Sequence, residues 1–194
     1  MHWLAKLKSK ETILIHAGAS GVGTAAIQLA KLLKSTVVVT ASAGKHEICK
    51  NKGADVIIDY KNTSFKEEIV KQKIKVDVII DFIAGAYFSD NLDVLSLDGR
   101  MVLLAALGGL NVESANVGQI VWKRLKIMGS TLRSRPSSYK VALTKAFAEK
   151  IYPSFHSGKL SSVIHQVFDW SEVVEAHKMM ERNENAGKLI LKIS

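Results

Sequence analysis

From His16 to Gly23 the chain reads His16-Ala17-Gly18-Ala19-Ser20-Gly21-Val22-Gly23, a run whose chemistry belongs mainly to its backbone. Glycine removes side chains where a tight turn, an approaching anion and a packed helix each need room. Gly18 is expected to permit the turn, Gly21 to let backbone approach a pyrophosphate, and Gly23 to let a helix pack on its sheet. Free N–H groups at the start of that helix then hold the anion, helped by the helix dipole. The spacing is Gly-x-Ser-Gly-x-Gly, with Ser20 where a dinucleotide fingerprint usually has its second glycine. A plain glycine-rich turn is the alternative. Context favours the fingerprint, because the run follows an apolar strand and opens an amphipathic helix.

A second set of residues bears on the form of the dinucleotide. An NAD site usually carries Asp or Glu about 20 residues past the glycines, on the ribose 2′-hydroxyl. Here Val39-Thr40 leads into Ala41-Ser42-Ala43-Gly44-Lys45-His46, with no acid before Glu47. A hydroxyl at Ser42 and a cation at Lys45 suit a 2′-phosphate instead. Tyr60 could add another hydroxyl. Each residue alone also has a structural reading, as turn former, solvated helix start and rim aromatic. The absent acid beside a cation is what points to NADPH.

Other chemistries find little support. The six histidines show no ligand spacing, and Cys49, the single cysteine, closes neither an intrachain disulfide nor a multi-cysteine zinc site. Ser20 lacks the glycine two residues before it that a nucleophile elbow needs. Asp81 and Tyr87 are as readily structural as catalytic, so no catalytic residue is assigned.

These groups need elements to position them. Apolar runs predict strands at Thr12–His16, Thr36–Thr40, Val56–Ile58, Val76–Asp81, Arg100–Leu104 and Lys126–Ser130. Between them, spacing and caps predict helices over Val22–Lys34, Lys45–Lys52, Ser64 to about Lys73 with a capping box to Glu67, and Ala86–Leu97. This alternation implies an α/β fold, a doubly wound six-stranded parallel sheet in the order 3-2-1-4-5-6. After Pro136 the pattern changes to a long helix (about Ser137–His156), a loop, a helix (about Ser171–Arg182) and a last strand (Lys188–Ile193). We divide the chain into a Rossmann domain, 1–136, and a C-terminal part, 137–194.

Composition sets the outer bounds. The chain has 194 residues, 47% hydrophobic and 23% charged, as in ordinary globular proteins. The net charge of +9 favours anionic partners, but the lysines are dispersed and lack interleaved aromatics, so nucleic-acid binding is not expected. No run approaches the roughly 20 apolar residues of a membrane span. No signal peptide is visible, and the low cysteine use suggests a cytoplasmic setting.

These motifs together resemble the cofactor-binding half of the medium-chain dehydrogenase/reductase superfamily, in its zinc-free, ζ-crystallin-like NADPH:quinone oxidoreductase branch. The resemblance rests on the Ala17–Gly23 turn, Lys52-Gly53-Ala54-Asp55, Asp98-Gly99-Arg100, Gly129-Ser130-Thr131-Leu132-Arg133-Ser134-Arg135 and Ala186-Gly187-Lys188-Leu189-Ile190-Leu191. It implies hydride transfer from NADPH to a quinone without a metal. Ser20, Gly21, Val22 and Gly23 would line the pyrophosphate, and Ser42, Lys45 and Tyr60 would surround the 2′-phosphate. Gly85 would pass near the adenosine ribose. Leu104, Ala105, Ala106 and Leu107 would lie beside the nicotinamide, with Thr131, Leu132 and Arg133 on its other side.

Family members often carry glycine where Ala84 and Ala105 stand, and serine at Ala43. They also carry an N-terminal catalytic domain, which the resemblance places before Met1, so the chain reads as a piece of a roughly twice-longer protein. The end of the chain, Leu189–Ile193 included, would pack on that domain and join its sheet. The resemblance further implies a homodimer through the edge strand Lys126–Ser130, with Val121, Trp122, Leu125, Ile127 and Met128 as its apolar neighbourhood. Reduction of an enone or enoyl thioester, and a non-catalytic nucleotide- or RNA-binding module, stand as alternatives to quinone reduction.

Overall fold

A computed structural model describes residues 1–193. Six parallel strands form one sheet: β1 (Thr12–Ile15), β2 (Thr36–Thr40), β3 (Val56–Ile58), β4 (Val76–Asp81), β5 (Leu95–Leu103) and β6 (Lys126–Gly129). Their order is β3-β2-β1-β4-β5-β6, as expected for a doubly wound Rossmann sheet.

Alternate residues along each strand feed opposite faces. Ile13, Ile15, Val37, Val39, Val78 and Ile80 pack with Ala26, Ile27 and Ala30 of α1 (Gly21–Leu32) and Cys49 of α2 (His46–Asn51). Leu14, Val38, Ile79 and Met101 pack with Phe65 and Ile69 of α3 (Phe65–Lys71) and Leu92 of α4 (Phe88–Val94). Burial on both faces explains why the strands read as nearly continuous apolar runs.

Two sequence markers fasten this frame. Asp55 accepts from the Val37 N–H at 2.7 Å and from Lys31 Nζ at 2.9 Å, which ties the entry of β3 to β2 and α1. Arg100 pairs with Glu11 at 2.7 Å and donates to the Ala5 carbonyl at 3.0 Å, which holds the N-terminal segment against β5.

The helix over Ala86–Leu97 ends earlier than expected. Leu95 is extended (φ −64°, ψ 133°), buried and paired with Val76, so Leu95–Leu97 start β5. Ser64 caps α3 through the Glu67 N–H at 3.4 Å, one half of the expected box. The short helix α5 (Gly118–Trp122) went unpredicted. The long C-terminal helix divides into α6 (Ser137–Lys150) and α7 (Pro153–His156). Pro153 has no N–H to continue α6 but suits a first helical turn.

The stretch read as a loop contains β7 (Ile164–Asp169). Only Phe168 of that strand is buried, so no period-two pattern announces it. After α8 (Val173–Glu181), β8 (Lys188–Lys192) pairs in parallel with β7, so within this chain its partner is β7. β6 lies at the sheet edge. Of its expected apolar neighbourhood, Leu125 is buried and Ile127 and Met128 pack against the cores, while Val121 (71% exposed) and Trp122 (73%) face outward. No described helix is long and apolar enough to cross a membrane.

Candidate functional site

The glycine-rich turn leaves β1 at the carboxyl edge of the sheet and opens α1. Its left-handed residue is Ala17 (φ 49°), not Gly18. Gly18 is needed for packing, because a Cβ there would lie 2.7 Å from Val39 Cβ on β2. At Gly23 a Cβ would fall 2.3 Å from the Ala17 carbonyl oxygen, so only glycine lets α1 start this close to the turn. Ser20 caps α1, its Oγ accepting from the Gly23 N–H at 3.0 Å. Among the described residues no acceptor takes the Val22 N–H, which is the state of a first-turn donor open to an anion.

Beneath the turn runs a buried polar chain. Asn91 Nδ2 donates to the Asp81 carboxylate at 3.0 Å, which leaves Asn91 Oδ1 to accept from His16 Nε2 at 2.8 Å. His16 Nδ1 then accepts from the Thr40 hydroxyl at 3.1 Å. Burial holds the imidazole below its ordinary value of 6.5, against the opposing pull of Asp81. Phe65 and Tyr87 pack edge-on against its ring, each at 4.8 Å. Asp81 also accepts from the Ile83 N–H at 2.7 Å and the Ala84 N–H at 3.2 Å. Ala84 sits at φ 61°, ψ −113°, a region that favours glycine, so its backbone is strained there. The buried chain holds that strained loop against the turn.

Above the turn is a cleft of about 820 Å³. Six of the residues named from sequence line it: Ser20, Gly21, Ser42, Lys45, Tyr60 and Leu107. The other nine do not. Val22 and Gly23 lie in the first turn of α1, with Val22 49% exposed. Gly85 is packed under the loop after β5, where a Cβ would meet the Asn111 carbonyl oxygen at 2.4 Å. Leu104, Ala105 and Ala106 follow β5, and Thr131, Leu132 and Arg133 follow β6, at the same edge of the sheet but outside the cleft. Leu104 is held in place by its N–H on the Asp81 carbonyl at 2.8 Å.

The C-terminal segment supplies the wall that sequence reasoning missed. Ala176, His177 and Met180 of α8, with Asn183, Asn185, Gly187 and Lys188, face the turn across the cleft. The Gly187 N–H donates to the Ala19 carbonyl at 2.7 Å, and the Lys188 stem covers Gly21, where an added Cβ would lie 2.4 Å from Lys188 Cε. The space expected for pyrophosphate above Gly21 is therefore shared with a flexible lysine chain. A signal was present in the asparagines and glycine of 183–187, which are residues of turns and close approach.

Lys45 Nζ donates to the Asn183 carbonyl and to Asn183 Oδ1, both at 2.8 Å. Burial, and then the nearby Lys61, hold its ammonium below the ordinary value of 10.5. Two cations thus gather at the end of β2, where no acid stands. Cys49 is not a reactive thiol, since burial pushes it up to about 11. Among the described residues no three His, Cys, Asp or Glu side chains group as metal ligands.

The family model described as zinc-binding dehydrogenase matches residues 21–148. The chain belongs to that family. Its six-stranded parallel sheet matches the Rossmann-like cofactor-binding domain of medium-chain dehydrogenases/reductases. The synaptic vesicle membrane protein VAT-1 homolog of Mus musculus is 27% identical over 95% of this chain and 49% of its own length. The acryloyl-coenzyme A reductase of Sulfurisphaera tokodaii is 29% identical over 96% of this chain and 52% of its own length. The solved quinone oxidoreductase of Coxiella burnetii is 31% identical, with a TM-score of 0.74 over 98% of this chain and 55% of that one. The chain thus spans about half the length of the curated relatives it matches.

Proposed function

We propose that this chain is the cofactor-binding part of an NADPH-dependent reductase that passes hydride to a quinone. The observation that supports it most is the end of β2, where Ser42, Lys45 and Tyr60 face one cleft with the glycine-rich turn and no acid stands among them. Cations and hydroxyls favour a 2′-phosphate there, and an acid would oppose it. The open Val22 N–H and the side-chain-free surface of Gly21 fit a pyrophosphate once the Lys188 stem moves aside. NADPH, when bound, supplies the hydride. The chain's own part is to hold the phosphates, orient the dinucleotide along the carboxyl edge of the sheet, and present Leu107 toward its far end.

Quinone as acceptor is supported by the likeness to the Coxiella burnetii enzyme. Reduction of an enoyl thioester is the second reading, favoured by the likeness to the acryloyl-coenzyme A reductase. Calorimetric titration with NADPH and NADH tests the cofactor, and single-turnover oxidation of bound NADPH by a quinone or by an enoyl thioester tests the acceptor. Saturable NADPH binding with much weaker NADH binding is expected. Equal affinities, or salt-dependent RNA binding that NADPH does not displace, would contradict the proposal.

A further inference from the structure

We infer that Asn183 is a positioning residue that sets cofactor specificity by holding Lys45 at the 2′-phosphate end of the cleft. The inference rests on the 2′-phosphate reading of Lys45 and goes beyond it by naming what aims that lysine. Asn183 is 138 residues from Lys45 in sequence, yet both its backbone carbonyl and its Oδ1 accept from Lys45 Nζ at 2.8 Å. A lysine ammonium carries three donors, so this clamp takes two and leaves one for a phosphate oxygen. A free lysine would lose side-chain freedom on meeting a phosphate, whereas a clamped one has lost it already.

The residue type follows from the backbone. Asn183 ends α8 in the left-handed conformation (φ 53°), with its N–H on the Met180 carbonyl at 3.0 Å and the Glu184 N–H on the Met179 carbonyl at 3.2 Å. Glycine and asparagine are the residues that take this helix-ending position readily. Asparagine alone of the two adds a side-chain oxygen, and the turn directs that oxygen and the carbonyl to the same ammonium. Hydrogen bonds to the charged form also oppose the burial and the Lys61 repulsion that disfavour it.

The test separates positioning from helix capping. Asn183→Gly keeps the left-handed turn and the carbonyl but removes Oδ1. Asn183→Asp keeps the shape and places a carboxylate beside Lys45, where it competes with a phosphate. Dissociation constants for 2′,5′-ADP and 5′-AMP are measured by calorimetry on the wild type, both variants and Lys45→Ala, with Tm as the folding control. Asn183→Gly is expected to weaken 2′,5′-ADP about fivefold, the size of one ordinary hydrogen bond, because the carbonyl still holds Lys45, and to leave 5′-AMP unchanged. Asn183→Asp is expected to weaken 2′,5′-ADP more than about tenfold, with 5′-AMP again unchanged.

Equal weakening of both ligands would show a structural role and overturn the inference. So would an unchanged ligand ratio in both Asn183 variants while Lys45→Ala abolishes the preference. If Lys45→Ala itself leaves the ratio unchanged, the 2′-phosphate reading fails first and the inference falls with it.

Discussion

The two ends of the candidate site, both on the carboxyl edge of the same sheet, are built differently. Where β1, β2 and β4 end, polar groups are buried and paired: His16, Thr40, Asp81 and Asn91 are at most 1% exposed and form one hydrogen-bonded chain. Where β5 and β6 end, apolar side chains stand in the open, with Leu107 78% exposed and Leu132 55%. A buried polar network fixes one geometry, and an exposed apolar surface fixes none. The end proposed for the phosphates is therefore built from this chain's own residues. The end assigned to nicotinamide and substrate has no cover among the described residues.

That contrast can be broken most severely at Gly23. Alanine there would put a methyl group against the Ala17 and Gly18 carbonyl oxygens, which are backbone and cannot turn aside. Gly23→Ala is expected to cost about 4 kcal/mol in denaturant unfolding and to abolish cofactor binding. A stable variant that still binds would show that α1 can start elsewhere.

His16→Leu should cost about 3 kcal/mol, since Asn91 Oδ1 and the Thr40 hydroxyl lose their buried partner. Its pH dependence carries a sign. The folded imidazole is held neutral below its ordinary value of 6.5, so the unfolded chain binds the extra proton as pH falls through that value. The wild type then loses stability that the leucine variant does not, and the gap between them is expected to narrow from pH 7.5 to 5.5. A constant gap would mean that His16 can take up a proton in place.

A smaller effect is expected at Ala84. Glycine relieves its positive φ, so Ala84→Gly should raise stability by about 1 kcal/mol, seen as a higher Tm. At the open end, Leu132→Ser should change stability by less than about 0.5 kcal/mol and leave 2′,5′-ADP affinity untouched. A large loss there would show that the open end is also part of the finished frame.

The six strands were legible because parallel strands buried on both faces carry nearly continuous apolar runs. The turn was legible from its glycines, although the role given to Gly18 was not, since contact with Val39 is a tertiary fact. The markers Asp55 and Arg100 proved to be fasteners of the frame and do not line the cleft. β7 was invisible because one buried residue makes no period. The wall made by Asn183, Asn185 and Lys188 was missed because it comes from a segment expected to pack elsewhere, brought over the turn by the pairing of Gly187 with Ala19. Local pattern showed which backbone could hold phosphate, and only the folded chain showed which side chains surround it.

The central claim, that the enclosed end selects a 2′-phosphate through Lys45, is tested most directly by the ratio of NADPH to NADH dissociation constants in the wild type and in Lys45→Ala. The account predicts a strong preference for NADPH that falls at least about tenfold in the variant while NADH affinity holds. An unchanged ratio would contradict it.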